Sequence, residues 1–352
     1  PEMNGVKDLF DRGAAAFVPN VGPLLEPVNR QAVEDGIALL PDRLESHNDQ
    51  QSTWQAFSVE GAGQGWGGNI LAAMQQTSPY TAISVTGQTV FLSGAETRQL
   101  QLASSGQVQR AYGTNRRVYN SDEATAILRN YYRTSADHLN NPLMRDLVRA
   151  QAKAVDDTNV LAALLDQSSV GDSIRLDGNR LSDQLGTVAD LINVRSALEV
   201  NRQIFFVGMG GFDTHNDQAN RLPQLLETLS DAMTSFYNAL EMEGLANDVT
   251  LFTASDFGRT LTANSSGTDH GWGGHQLVVG GAVNGQRILG DVPEYTVDHD
   301  YAYRTRGSLI PQISIDQYGS ELVRWFGLNA SELNTIFPNR GRFDTTSLDL
   351  FI

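Results

Sequence analysis

The apolar positions change period along the chain, and the changes outline its elements. Residues 6–13 read as a short helix, and 14–18 as an apolar strand that Asn20-Val21-Gly22-Pro23 breaks. Ser46 suits the N-cap of a helix running to about Phe57. Residues 61–68 hold five glycines and read as irregular structure. Two β-like runs, 82–85 and 89–92, flank Gly87-Gln88 as in a hairpin. From Asp122 to Asp166 the pattern is helical, with Asn141-Pro142 as a start signal and Leu143, Leu147, Val148, Ala154 and Val155 on one stripe. A further helix covers about 181–198.

Beyond residue 200 the pattern becomes strand–helix–strand. Residues 204–207 are continuously apolar and end at Gly208, as a fully buried strand does. Leu222, Leu225, Leu226, Leu229, Met233, Phe236 and Leu240 recur every three or four positions and define an amphipathic helix. Residues 249–253 form the next buried strand. Two such strands bridged by a long helix make a βαβ unit, so 204–207 and 249–253 are expected as parallel neighbours or near neighbours in one sheet under helices. Residues 277–279 are a third strand and 316–326 a closing helix. There is no clean linker, and the only internal recurrence is Gly-Trp-Gly-Gly at 65–68 and 271–274. The chain therefore reads as one α/β domain over 1–352, with 122–200 a mainly helical segment inside it.

Composition narrows the partners. The net charge of −16 argues against nucleic acid or anionic lipid, and no run of eighteen apolar residues spans a membrane. With no cysteine, disulfides, thiolate metal sites and cysteine nucleophiles are excluded together. The chain opens Pro1-Glu2-Met3 with no signal-peptide apolar region.

Ligands of parallel sheets bind beyond the carboxyl ends of the strands, so the polar residues there carry the candidate chemistry. After the first βαβ strand come Asp213, Thr214, His215, Asn216 and Asp217; after the second come Ser255, Asp256, Phe257, Gly258 and Arg259. Asp269, His270 and His275 follow. Three of the six histidines and four aspartates thus gather on expected loops at one sheet edge. Imidazole with carboxylate suits zinc, manganese or iron, and carboxylate alone suits calcium or magnesium. Each residue also has a plain structural reading: Asp213 as a helix cap, His270 as a satisfied structural histidine. His138 and His299 read as surface residues.

The motifs Gly-Gly-Phe-Asp-Thr-His, Ser-Asp-Phe-Gly-Arg-Thr and Gly-Thr-Asp-His-Gly, in this order, resemble those of the domain-of-unknown-function family 1501, placed within the alkaline phosphatase and sulfatase superfamily. Asn20-Val21-Gly22, Ser46-His47-Asn48-Asp49-Gln50 and Gly65-Trp66-Gly67-Gly68 extend the resemblance over nearly the whole chain. It implies an alkaline-phosphatase-like, three-layer α/β/α sandwich with a mostly parallel central sheet. It further implies a chain that starts after the family's usual first strand, leaving sheet edges open to self-association. Asp213, His215 and His270 would hold one divalent metal, zinc, manganese or calcium. Asp256 would serve a second, although Phe257 stands where the superfamily has a ligating histidine.

By the same resemblance Ser46, at a helix N-terminus, is the candidate nucleophile, and its other reading is a plain N-cap. His47 is a candidate metal, substrate or oxyanion partner, or packs on Trp54. Arg259 would bind an anionic substrate oxygen, or pair with a carboxylate. His275 completes the substrate-binding candidates. Two functions follow as expectations: a metal-dependent hydrolase of small phosphate or sulfate esters, or an exported non-catalytic structural or binding protein with a degenerate site. Resemblance alone puts either in the periplasm or outside the cell.

Overall fold

Gly13, with φ of +78°, turns the chain from helix α1 (Asn4–Asp11) into strand β1 (Ala15–Gly22). The strand does not stop at the expected break. Asn20 takes a left-handed φ of 51° and the register to the next strand shifts between Val18 and Val21, so a bulge carries the strand on to Gly22. The computed structural model describes residues 2–108, 110–133, 139–304, 306–344 and 347–352; His138 lies outside them.

Helices α2 (Arg30–Glu34), α3 (His47–Ala56) and α4 (Trp66–Ala73) follow β1. Contrary to expectation, α4 begins inside the glycine run. A Cβ at Gly68 would lie 2.3 Å from the Ser93 carbonyl oxygen, and one at Gly65 would lie 2.3 Å from that of Val90. The glycines serve close approach here, not irregularity. The backbone they approach runs from Val90 to Gly94, and residues 89–92 are a loop, so the expected hairpin does not form. Instead β2 (Ala82–Ser84) pairs in parallel with β3 (Leu100–Gln101) and with β4 (Ile204–Phe206).

Helices α5 (Asp122–Tyr132) and α6 (Pro142–Leu165) occupy the expected helical segment. The stripe on α6 is not a core face, however: Leu143 and Leu147 are 77% and 60% exposed, and burial is confined to Leu161 and Ala162. Periodicity identifies an apolar face but not what covers it. Helices α7 (Arg180–Asn193) and α8 (Gln218–Met242) do pack together, through Leu185, Val188, Ala189, Ala232, Phe236 and Leu240.

The remaining strands are β5 (Leu251–Phe252), β6 (Gly258–Ala263), β7 (Thr268–Gly271), β8 (Gly274–Val279) and β9 (Arg287–Ile288). After them come β10 (Ala302–Tyr303), β11 (Ser308–Leu309) and β12 (Ile313–Ser314). Helix α9 (Ile315–Phe326) starts at a Ser314–Gln317 capping box, ends at Gly327 with φ of 119°, and leads to α10 (Ala330–Ile336).

The largest sheet runs β12-β1-β8-β5, with β9 also on β1. It is mixed, not mostly parallel: β1 is parallel to β12 and β9, while β8 is antiparallel to both β1 and β5. The reason is local. Between β5 and β8 the chain makes the β6–β7 hairpin in place of a crossover helix, and the return is antiparallel. A second correction concerns β4 and β5. They lie in different sheets, β4 at the edge of β3-β2-β4 and β5 at the edge of the large sheet, although the helix between them is long enough for a crossover. What is established is therefore a mixed α/β architecture with several sheets. No helix among the described residues is long and apolar enough to cross a membrane.

The two Gly-Trp-Gly-Gly recurrences play alike parts. Trp66 and Trp272 are both buried, and each indole N–H finds a carbonyl, Trp54 at 2.8 Å and Pro23 at 2.7 Å. Burying such a ring contributes only if its one donor is satisfied.

Candidate functional site

The segment after β4 and the tip of the β6–β7 hairpin are tied by backbone. Thr268 N–H donates to the Thr214 carbonyl at 3.3 Å, and Gln218 N–H to that of Ser266 at 3.0 Å. Gly267 makes the contact possible, since a Cβ there would lie 2.3 Å from the Thr214 oxygen. Within the hairpin Arg259 stands directly opposite His270, so the two side chains share a face. His270 is thus on a strand, where a loop was expected.

Both of these side chains turn to Asp213. Its Oδ1 lies 2.8 Å from His270 Nε2, 2.9 Å from His215 Nε2 and 3.2 Å from Arg259 Nη1. Arg259 is held in place by Thr268, whose Oγ1 accepts its Nε–H at 2.8 Å and whose carbonyl accepts an Nη–H. Partial burial works against ionisation of Asp213, but the bonds from His270 and Arg259 outweigh it and hold the carboxyl below its usual range.

His270 Nδ1 faces the Glu45 carbonyl at 3.1 Å. A carbonyl only accepts, so Nδ1 carries the proton and, in a neutral ring, the Nε2 lone pair points at the Asp213 carboxylate. Two acceptors at 2.8 Å repel unless a cation lies between them, either a second proton or a metal ion. Asp213, His215 and His270 each offer one ligand atom, all within 4.8 Å of one another.

Asp256 does not join this group. Its Oδ2 lies 3.4 Å from His47 Nδ1, and burial pushes its carboxyl up, with the charge of His47 working the other way. Phe257 separates the two arrangements: its ring stacks on His270 at 4.3 Å and meets His47 edge-on at 5.3 Å. Ser46 occupies the N-cap position of α3 without a side-chain cap bond. Its hydroxyl donates instead to Asp49 Oδ2 at 2.7 Å, a bond that, with others, keeps Asp49 below the usual carboxylate range. His275 is elsewhere: on β8 it accepts the Asn20 N–H at Nδ1 and reaches the Tyr295 hydroxyl with Nε2, and burial lowers its pKa. His299 is half-buried rather than a surface residue, its Nδ1 accepting the Tyr301 N–H at 3.2 Å.

Three contributors escaped the sequence reading. The Glu45 carbonyl that orients His270 is backbone and leaves no side-chain signature. Gln50, 1% exposed, binds the Glu45 N–H with its oxygen and the Asp256 carbonyl with its nitrogen at 3.0 Å, linking α3 to the segment after β5. Asp49 holds Ser46. Asp49 and Gln50 lie in a motif of the family resemblance, but in the first turns of a helix they read as surface residues, and their burial is what marks these roles.

The family model described as "Protein of unknown function (DUF1501)" matches residues 4–307. The chain belongs to the DUF1501 family. Every residue of the Asp213 cluster and of the Ser46 and Asp256 arrangements falls inside that match, while β11, β12, α9 and α10 lie beyond it. No curated protein and no solved structure matches the chain. For this DUF1501 protein the geometry of the cluster therefore has to carry the functional argument.

Proposed function

We propose that this protein is a metal-dependent hydrolase of phosphate or sulfate esters, built on an alkaline-phosphatase-like sandwich and acting outside the cytoplasm. The observation that carries the reading is the Glu45 carbonyl on His270 Nδ1. In a neutral ring it fixes the tautomer whose Nε2 lone pair, turned toward Asp213, can ligate, as outer partners of metal-bound histidines do. One carboxylate and two imidazoles fit a catalytic zinc or manganese ion that keeps an open position, and fit calcium less well. Such an ion, when bound, supplies a Lewis acid that polarises an ester oxygen.

The other residues divide the remaining work. Arg259, pinned by Thr268, offers a fixed positive charge to an anionic ester oxygen beside Asp213. Ser46, at the N-cap of α3, is the nucleophile, where helix amides favour a developing negative charge. Its hydroxyl donates to Asp49, so the proton released as Ser46 attacks passes to that carboxylate, a weak base because its carboxyl is depressed. His47, 6.2 Å from the His270 ring, is placed for substrate contact. His275, engaged with Asn20 and Tyr295, has no part in this reading.

A second reading, a non-catalytic binding protein, is favoured by Phe257, which fills the place of an expected ligand beside Asp256 and His47. Metal content of the purified protein, with hydrolysis of p-nitrophenyl phosphate and sulfate by wild type and His270→Ala, separates the two. Bound metal and hydrolysis lost in the variant support the enzyme; equal hydrolysis by both ends it. No metal and no hydrolysis leave the binding protein.

A further inference from the structure

Strands β4 and β5 each end a sheet, and the backbone directions show where their free edges point. Ile204 N–H donates to the Thr81 carbonyl at 2.7 Å, and the Phe206 carbonyl accepts the Val85 N–H at 2.9 Å, so both residues face β2. By strand alternation the N–H and C=O of Phe205 point the other way. On β5, Thr253 N–H donates to the Leu277 carbonyl at 2.9 Å and Leu251 stands opposite Val279, so these residues face β8. The N–H and C=O of Phe252 then point away from β8.

The two free edges are covered by the same layers. On one face Phe205 of β4 and Leu251 of β5 pack against the α7–α8 cluster. On the other, Trp66 and Phe91 stand 4.6 Å apart; Phe91 meets Phe206 at 5.8 Å and Trp66 meets Phe252 at 6.0 Å. Roof and floor are continuous across β4 and β5, yet no hydrogen-bond ladder joins the strands. Residues 204–207, 251 and 252 are only half-buried, although their sequence is that of strands covered on every side.

We infer that β4 and β5 bound a strand-wide slot that receives one extended peptide segment, apolar on both faces. Its backbone takes the open groups of Phe205 and Phe252, and its alternate side chains meet the α7–α8 cluster and the Trp66–Phe91 pair. A folded second copy does not fit, because a slot closed above and below admits a free strand and not the edge of another covered sheet. The inference stands apart from the hydrolase reading, since it uses no residue of the Asp213 cluster.

The test is hydrogen exchange at residues 204–207 and 250–253 of the whole protein, with a nine-residue probe in which Val-Ile-Val-Phe-Val is flanked by two lysines at each end. A control peptide of the same sequence is N-methylated at alternate residues, which keeps charge and apolarity but removes donors on one edge. The expected result is slower exchange at both Phe205 and Phe252, by about tenfold or more, with the probe and not with the control. Protection of neither strand, of one strand only, or equal protection by the control overturns the inference. So does protection without peptide that grows with protein concentration, which would make a second copy the occupant.

Discussion

The Nδ1 atom of His270 lies 3.1 Å from the carbonyl oxygen of Glu45, residues brought together from opposite parts of the chain. The bond settles which nitrogen of His270 is turned to Asp213, and Gln50 in turn holds the Glu45 backbone. The α3 segment thus orients the histidine without contributing a side chain to the cluster.

His270→Ala removes one of three candidate ligands and the Phe257 stacking partner together. Metal affinity, read by titration calorimetry with zinc or manganese, should fall by at least about 100-fold. Thermal unfolding should show a loss of only about 1 kcal/mol, the order of a ring-stacking contact. A variant that binds metal as wild type does would remove His270 from the site.

Phe257→His tests the division between the Asp213 and Asp256 groups. The new imidazole would stand beside His47 and Asp256, where wild type has an apolar ring. Bound metal per chain should rise, and ester hydrolysis with it. The substitution also places a polar ring at a buried position, so stability should drop by about 1–3 kcal/mol. Unchanged metal content in a folded variant would show that Asp256 and His47 do not make a second site.

These tests concern residues that sequence made visible to different degrees. Asp213, His215 and Arg259 stand out because they follow apolar runs, and chain order alone puts such residues at a sheet edge; His270 stands out only through its Gly-Thr-Asp-His-Gly motif. Strand pairing was not visible. Runs as short as 204–206 and 251–252 state that they are buried strands but not beside which neighbour, and the β6–β7 hairpin stands where a parallel sheet would have a crossover helix between β5 and β8. Glycine was ambiguous for a physical reason: the residue that permits irregular backbone also permits close approach, and Gly65 and Gly68 do the second. Leu143 and Leu147 show the remaining limit, since a stripe has the same period whether it faces a core or solvent.

Gly267→Ala should disturb the cluster without changing a ligand side chain. Its Cβ would meet the Thr214 oxygen and the His215 carbonyl carbon, each at 2.3 Å, and backbone cannot move aside as a side-chain tip can. The hairpin tip must lift, separating His270 from His215. Expected are a stability loss of about 1–3 kcal/mol and weaker metal binding, with Gly63→Ala, which meets nothing within 4 Å, as the neutral comparison. Metal affinity equal to wild type would show that the tip does not set the spacing of the two histidines.

Asp316, at the start of α9 and far from this chemistry in sequence, gives a pH dependence with a definite sign. Burial raises its carboxyl from 3.8 to about 6, while the Asn339 N–H, donating to Oδ1 at 2.8 Å, works in the opposite direction. Between about pH 4 and pH 6 the folded state therefore keeps a proton that the unfolded chain has released. The state binding more protons gains as pH falls, so this group's contribution to stability shrinks as pH rises through that window. A shift of this size corresponds to something on the order of 3 kcal/mol across the whole range. Asp316→Asn does not titrate and should lack that dependence. In urea unfolding at pH 4.5 and pH 7, wild type should lose stability relative to Asp316→Asn at the higher pH. A constant difference between the two proteins, or one of the opposite sign, would show that Asp316 is ionised in the folded state throughout.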